Sequence, residues 1–379
     1  MWNRSARVSP MSEATFSGTS QRLTRTSLLL LSLRRQWIFF VVPLCYAATT
    51  TWLLRDVPEA RVASVRALVM GMITLTIPAG LVAIFLFRLG QYALVLKPES
   101  PTRQMITDVA GLFRKPAAFL LGLPLLAAMV IFNKGMLELK PMIPAVKPFS
   151  WDTDFMALDR ALHGGFDPWV LLQPLLGHDN ITFAINILYN FWFLALFGCF
   201  MWFGFATRES VNRTRFFLAY MLTWWIGGGL LAVAFSSAGP VYYSNLGLSP
   251  DPFAPLMAYL RDVDLRLPIW SLDTQQLLWD GYMGKTAPIG ISAFPSMHNA
   301  STLLFALAAW PRSRGLGVAF AIYTAIILVG SVHLGWHYAV DGYGGLALAA
   351  CCWWLAGFAA RWHHRRPGHD RLNEGLASL

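Results

Sequence analysis

Long apolar runs separated by short polar or basic segments make up most of this chain. A helix of about 20 apolar residues crosses the ~30 Å hydrocarbon core of a bilayer. Eight runs approach or reach this length, at residues 37–54, 67–87, 117–132, 181–205, 216–235, 295–310, 316–332 and 343–358. The pattern predicts an all-α, polytopic integral membrane protein with about eight transmembrane helices, of which the third and sixth are short for a full crossing.

The composition agrees with a membrane protein. Hydrophobic residues make up 56% of the chain and charged residues 13%, about half of the ~25% that is usual in soluble domains. This balance excludes a soluble enzyme, a disordered protein and a nucleic-acid binder built on a basic surface. All four cysteines lie inside apolar runs, so neither a disulfide framework nor a thiolate metal cluster is indicated.

The distribution of basic residues predicts the orientation in the membrane. Lys and Arg concentrate in the two terminal tails and beside alternate predicted spans, within residues 4–35, 88–115, 208–215, 312–314 and 361–371. Because basic residues are retained on the cytoplasmic side, both termini are predicted to be cytoplasmic. The net charge of +10 is then explained by the membrane topology, and no acidic partner is required. Segments 133–180, 236–294 and 333–341 fall on the extracytoplasmic face, where all the candidate chemistry lies.

The first candidate motif is FPSMHNAS, at residues 294–301. Pro295 suits the first helical position, which would place Ser296, Met297 and His298 in the opening turn of the sixth span. Free N–H groups and the helix dipole make such a turn a site for an anion, and Ser296 adds a hydroxyl donor. His298 would then stand beside a bound oxyanion as a proton donor.

The second candidate motif is GSVHLGWHYAVDGYGG, at residues 330–345. His337 and Asp341 are four residues apart, so on a helix they share one face, and a carboxylate beside an imidazole fixes its tautomer. Gly342, Gly344 and Gly345 would permit close packing of this helix start. A buried His–Asp pair also occurs as a structural element, but the predicted meeting of His298, His337 and Asp341 on one face favours catalysis. His333 is either a helper or an interfacial residue.

Three lysines and several acids accompany these motifs on the same predicted face. Lys134, Lys140 and Lys147 could neutralise a phosphate, or could equally lie at the lipid headgroup level. The acids Asp152, Asp154 and Asp159 lack accompanying histidine-rich spacing, so we predict neither a metal nor a cofactor. The mixture of Trp, Leu and Pro in residues 162–175 indicates a short interfacial helix.

PSMH followed by HYAVD in the next span but one resembles the second and third signatures of the type 2 phosphatidic acid phosphatase superfamily. The variant is most similar to its inositol phosphorylceramide synthase branch, in which the second signature reads Pro-Ser-Leu-His and the third His-Tyr-x-x-Asp. Residues 236–243 (SSAGPVYY) and 158–169 (LDRALHGGFDPW) resemble further elements of that branch. The resemblance covers approximately residues 134–348 and leaves the first two spans outside.

The resemblance implies a six-helix core and a covalent phosphohistidine mechanism without metal. His337 would be the nucleophile, Asp341 its orienting partner and His298 the acid that protonates the leaving alkoxide. Two features depart from the family pattern: Ser331 stands where phosphatases carry an Arg, and Lys134 and Lys140-Pro141 are one residue too close for the first signature. Ser296, the three lysines and His333 are therefore only candidate phosphate ligands.

The domains expected on this basis are a basic cytoplasmic tail (1–36), two N-terminal helices with their loop (37–116), the catalytic membrane core (117–360) and a second basic tail (361–379). The expected partners are a membrane lipid phosphate and an alcohol or water acceptor, with no nucleic acid. Phosphatase and head-group transferase differ only in whether water or an alcohol attacks the phosphohistidine. Met297 and the missing Arg favour a transferase. The alternative from a different class is a proton-coupled transporter that uses the His/Asp cluster, although these residues lie at span ends rather than at the midplane.

Overall fold

The regular structure of the protein is helical throughout the part that the computed structural model describes, residues 24–57, 65–71, 74, 77–113 and 116–378. The α-helices are α1 (Arg25–Arg35), α2 (Ile38–Leu54), α3 (Val65–Gly71), α4 (Ile77–Gln91), α5 (Pro101–Phe113), α6 (Pro116–Leu139), α7 (Ile143–Val146), α8 (Asp152–Leu162), α9 (Pro168–Leu176), α10 (Asp179–Asn190), α11 (Trp192–Gly204), α12 (Val211–Trp225), α13 (Ala232–Ala234), α14 (Ala254–Asp264), α15 (Trp270–Tyr282), α16 (Met297–Ala309), α17 (Arg314–His333), α18 (Ala339–His364) and α19 (His369–Ala377). The predicted all-α class is confirmed for these residues. Most of the predicted N-terminal tail, residues 1–23, lies outside them.

Five helical stretches among the described residues are long and apolar enough to cross a membrane. They are Pro116–Val146, Asp179–Gly204, Val211–Ala234, Arg314–His333 and Ala339–His364. A sixth crossing results if α1 and α2, which meet at a 54° bend, form one broken span. The described residues thus support five or six spans, and the predicted count of eight is not confirmed.

Two of the eight predicted spans are not among those found in the described residues. The predicted second span, residues 67–87, lies partly outside the described residues, and α4 within it is a shorter apolar helix. The predicted sixth span corresponds to α16, which has 13 residues and is about 20 Å long at 1.5 Å per residue. That length falls short of a ~30 Å hydrocarbon core.

Helix α16 lies in the interior of the bundle, packed against α12, α17 and α18. Its side chains Ala300, Leu304 and Phe305 are at most 1% exposed. A π-helical segment, Ile226–Leu231, continues α12 toward the start of α16. Gly227 allows close packing there. A Cβ atom at this position would stand 2.5 Å from a methyl of Leu348 and 3.1 Å from the sulfur of Met297.

Arg213 joins several helices at the opposite end of α12. The distribution of basic residues placed it in a cytoplasmic loop, but it lies within α12 and is 1% exposed. Its guanidinium donates hydrogen bonds of 2.9 Å to the carbonyls of Phe203 and Leu121 and to Oε1 of Gln36. The buried charge thereby fixes α12 against α6, α11 and the α1–α2 bend.

Candidate active site

The pair of His337 and Asp341 is built around the start of α18. The helix begins at Ala339, so His337 precedes it and the two residues do not share a helix face as the spacing predicted. Instead Asp341 reaches back over the helix start: its Oδ2 accepts the N–H of Tyr338 at 3.0 Å and lies 3.2 Å from Nδ1 of His337. Because Nδ1 donates to the carboxylate, Nε2 is the ring atom left for chemistry. Asp341 is fully buried and His337 is 7% exposed.

The start of α16 lies directly beside the start of α18. Helix α16 begins at Met297 with Ser296 as its N-cap, so Pro295 precedes the helix rather than occupying its first position. The Ser296 N–H donates to the carbonyl of Asp341 at 2.9 Å, and the Ser296 hydroxyl accepts a 3.0 Å bond from Nδ2 of Asn299. Among the described residues the N–H groups of Met297 and His298 have no acceptor. They are thus available to an oxyanion.

Glycines permit this close approach, as their position in the motif predicted. A Cβ atom on Gly345 would stand 2.3 Å from the carbonyl oxygen of Ser296, and one on Gly344 would stand 2.7 Å from the ring of Phe294. On Gly342 it would stand 2.3 Å from a methyl of Leu328. The predicted close packing of this helix start is confirmed.

His298 is half-buried between aromatic rings. Its ring centroid lies 4.2 Å from that of Trp192, and 4.8 Å from that of Tyr189 with an interplanar angle of 18°. The hydrogen bond from Ser296 to Asp341 places the helix turn that carries His298 beside the His337–Asp341 pair. Sequence reasoning missed Tyr189 and Trp192, because aromatic residues in an apolar span carry no motif of their own.

Lys140 is the lysine whose backbone contacts the segment that leads to Ser296 and His298. Its backbone packs against Gly290, which has φ of +98° and at which a Cβ atom would stand 2.6 Å from the Lys140 carbonyl oxygen. Gly290 lies in the segment that leads to Ser296, so the two sides of the site are fixed together. Within the described part of the chain the Lys140 ammonium has no ion-pair partner, which leaves its charge available to a phosphate.

The other two predicted lysines have partners elsewhere. Nζ of Lys134 lies 2.7 Å from a carboxylate oxygen of Glu138, one helical turn further along the chain. Nζ of Lys147 donates to the carbonyl of Ala234 at 2.5 Å. Both contacts compensate the lysine charge locally and do not involve the histidines.

His333 and Ser331 also have hydrogen-bond partners of their own. His333 is fully buried, and its Nε2 lies 2.9 Å from the hydroxyl of Thr182. The Ser331 hydroxyl donates to the carbonyl of Leu328 at 2.8 Å. Ser331 therefore shapes the turn before His337, whose N–H donates to its carbonyl at 3.2 Å.

Asp152 holds together the segments around the site. Its carboxylate accepts the N–H groups of Ala238 and Gly239 at 3.0 and 2.8 Å and the hydroxyl of Tyr338 at 3.0 Å. Burial raises its pKa, although these hydrogen bonds act in the opposite direction. The carboxylate thus binds the 236–239 loop to the residue that follows His337.

Asp159 caps α18 from a distant part of the chain. Its two oxygens accept the N–H groups of Ala339 and Val340 at 2.7 and 2.9 Å. Burial raises its pKa to about 6 despite these bonds, and the nearby Asp341 charge adds to the increase. Asp154, by contrast, is exposed. No three His, Cys, Asp or Glu side chains among the described residues form a group suited to a metal ion.

Comparison with known proteins gives one family and no individual relative. The profile of the PAP2 superfamily matches residues 153–355, from α8 into α18. The match includes both candidate motifs and leaves the N-terminal spans outside. No curated protein and no solved structure matches the chain. Because the match covers more than half of the 379 residues, the chain belongs to the PAP2 superfamily.

Proposed function

We propose that this protein transfers the phosphoryl group of a membrane lipid phosphate through a phosphohistidine on His337. Nε2 of His337 attacks phosphorus, the P–O bond to the lipid alkoxide breaks, and protonated His298 gives its proton to the departing oxygen. Water or an alcohol then attacks phosphorus and gives a proton back to His298, and the P–N bond breaks. The observation that carries the proposal is the 3.2 Å contact between Nδ1 of His337 and buried Asp341, next to the start of the helix that carries His298.

The remaining groups of the site suit a phosphate. The N–H groups of Met297 and His298 lie at the positive end of α16, and Lys140 contacts the segment that leads to this helix. These donors would stabilise the charge that develops on the phosphoryl oxygens. Superfamily membership also supports an enzyme of the phosphatase or phosphotransferase type over a proton-coupled transporter.

A lipid substrate is favoured by an apolar cavity of about 340 Å³ between α4, α11, α16 and α17. Phe305 and Ala309 line it from α16, and Ala195 and Trp202 line it from α11. Phe305 and Ala309 follow His298 by seven and eleven residues, so they lie on the same face of α16. A phosphate at the histidines and an acyl chain in this cavity would thus both lie along the same face of α16.

We also propose on which face of the membrane the site lies, and either an alcohol or water as the acceptor of the phosphoryl group. The basic tails and the basic loops between spans favour cytoplasmic termini and an extracytoplasmic site. Met297 and Ser331 favour a head-group transferase resembling the inositol phosphorylceramide synthase branch, with hydrolysis as the other outcome. Adding candidate alcohols to the reaction and identifying the lipid products by mass distinguishes the two.

The experiment that tests the mechanism traps the intermediate. The purified protein in lipid vesicles is mixed with a lipid phosphate and quenched, and acid-labile phosphate is located by mass spectrometry. We expect it on His337 in the wild type and no turnover in His337→Ala, with slow turnover remaining in Asp341→Asn because the nucleophile is present but less well oriented. Phosphate located on His298 would reverse the assignment, and wild-type turnover without any phosphohistidine would overturn the mechanism.

A further inference from the structure

The hydroxyl of Tyr189 is buried and has no hydrogen-bond partner among the described residues. The side chain is 5% exposed and belongs to the last turn of α10. A buried polar group without a partner is destabilising, and nearly all such groups in native structures are satisfied. Other buried groups of the described residues also lack a partner, among them the hydroxyl of Tyr46. It is therefore the contact of Tyr189 with His298 that points to a bound ligand as the partner of its hydroxyl.

The Tyr189 ring lies between the two halves of the candidate active site. It stacks on the ring of His298 at 4.8 Å and lies nearly parallel to that of Trp336, at 6.2 Å and 8°. Trp336 directly precedes His337. The Tyr189 ring is thus fixed by the neighbour of one histidine and by the other histidine itself.

A glycine in α17 permits this placement. A Cβ atom at Gly330 would stand 2.8 Å from a methyl of Ile185 and 3.9 Å from the Tyr189 ring. A larger residue at 330 would therefore displace α10. The adjacent backbone is fixed as well, since the hydroxyl of Tyr323 donates to the carbonyl of Leu188 at 2.8 Å. Both contacts come from α17, which thus holds the end of α10 and Tyr189 in place.

We propose that the Tyr189 hydroxyl is a substrate ligand that donates a hydrogen bond to a phosphoryl oxygen during attack by His337. This inference rests on the proposed function. The phosphoryl oxygens carry negative charge in the transition state. A hydrogen-bond donor that is already held in place in a water-poor site stabilises this charge without having to reorganise. Tyr189 remains protonated throughout and forms no covalent bond. Its hydrogen bond would add to the charge that Lys140 supplies in the proposed mechanism.

The test compares three variants for the rate of phosphohistidine formation. Tyr189→Phe keeps the ring against His298 and removes the hydroxyl alone, and Tyr189→Leu removes both. Tyr46→Phe is the matched control, since it removes another buried hydroxyl that has no hydrogen-bond partner among the described residues, on α2 and packed against Phe132. One lost oxyanion donor typically lowers kcat by about 10²–10³-fold. We expect a loss of that order in Tyr189→Phe, with KM changed less than kcat, and less than about threefold loss in Tyr46→Phe.

Orthovanadate, a mimic of the five-coordinate phosphoryl group, gives a readout that does not need turnover. Its binding is followed by the quenching of tryptophan fluorescence, with the thermal midpoint of each variant measured alongside. We expect Tyr189→Phe to bind vanadate at least about tenfold more weakly than wild type and to keep its thermal midpoint. If the wild type turns over and Tyr189→Phe has the same rate and the same vanadate affinity, or if Tyr189→Phe and Tyr46→Phe lose equally, this inference alone is overturned. A wild type that forms no phosphohistidine and binds no vanadate would overturn the proposed function and this inference with it.

Discussion

The amide of Ser296 donates a 2.9 Å hydrogen bond to the backbone carbonyl of Asp341. This bond connects two motifs that are 45 residues apart in the chain through backbone atoms alone. It fixes the start of α16 against the start of α18, and with them His298 and His337. The separation of the two histidines' main-chain positions is therefore set by this backbone contact.

Gly345 is the position at which this connection is most easily broken. In Gly345→Ala the new Cβ would stand 2.3 Å from the Ser296 carbonyl oxygen, so α16 and α18 must move apart. Overpacking of this kind costs about 1–3 kcal/mol, and misplaced catalytic groups lose rate steeply. We expect at least tenfold lower turnover and a lower thermal midpoint. In the matched control Gly315→Ala the nearest atom is 3.9 Å away, and an effect there of equal size would contradict this account.

The cap that Asp159 forms on α18 predicts a pH dependence of stability. Burial raises its folded-state pKa to about 6, above the ordinary 3.8, so the folded state binds more protons than the unfolded state between these values. The free energy of unfolding then falls as pH rises from about 4 to 6 and levels off above. Asp152 contributes with the same sign because burial raises its pKa too.

Thermal midpoints of the protein in vesicles between pH 4 and 7 provide the measurement. Asp159→Asn removes the titrating group while keeping one oxygen for the N–H groups of Ala339 and Val340. We expect this variant to be less stable than wild type at pH 4–5 and to show a smaller decline between pH 4 and 6. A decline as steep as that of the wild type would show that Asp159 is not the group responsible.

Turnover is expected to survive chelation. The N–H groups at the start of α16 and the ammonium of Lys140 supply the electrostatic stabilisation in the proposed mechanism. The oxygens of Asp152 and Asp159 are engaged by backbone N–H groups and, for Asp152, by Tyr338. Rates measured before and after treatment with EDTA test the point. A loss that a divalent ion restores would contradict it and direct attention to Asp152 and exposed Asp154.

The architecture and the two motifs were accessible from the sequence because both are local properties. Apolar runs specify membrane helices wherever they pack, and the residues around His298 and His337 carry the family's spacing within a few positions. The role of the glycines after Asp341 was also predictable, because glycine has no side chain and therefore permits close packing whatever element lies opposite.

The contacts around these motifs depend on tertiary structure. Tyr189 and Trp192 meet His298 only because of how α10 and α11 are rotated, which an almost uniformly apolar span does not encode. Asp159 caps a helix that begins 180 residues later in the chain. The apolar run at 295–310 includes the non-helical residues 295 and 296, so counting it as a span overestimated α16.

The direct test of the mechanism is the rate of phosphohistidine formation on an alkyl and an aryl phosphate. An alkyl ester expels a strongly basic alkoxide that needs a proton, to which a positioned acid contributes ~10²–10⁴-fold, whereas an aryl ester expels a stable phenolate. We predict that His298→Ala loses far more rate on the alkyl than on the aryl substrate, and that His337→Ala forms no phosphohistidine from either. Equal losses on both substrates in His298→Ala would contradict the role of His298 as the acid and with it the two-histidine mechanism.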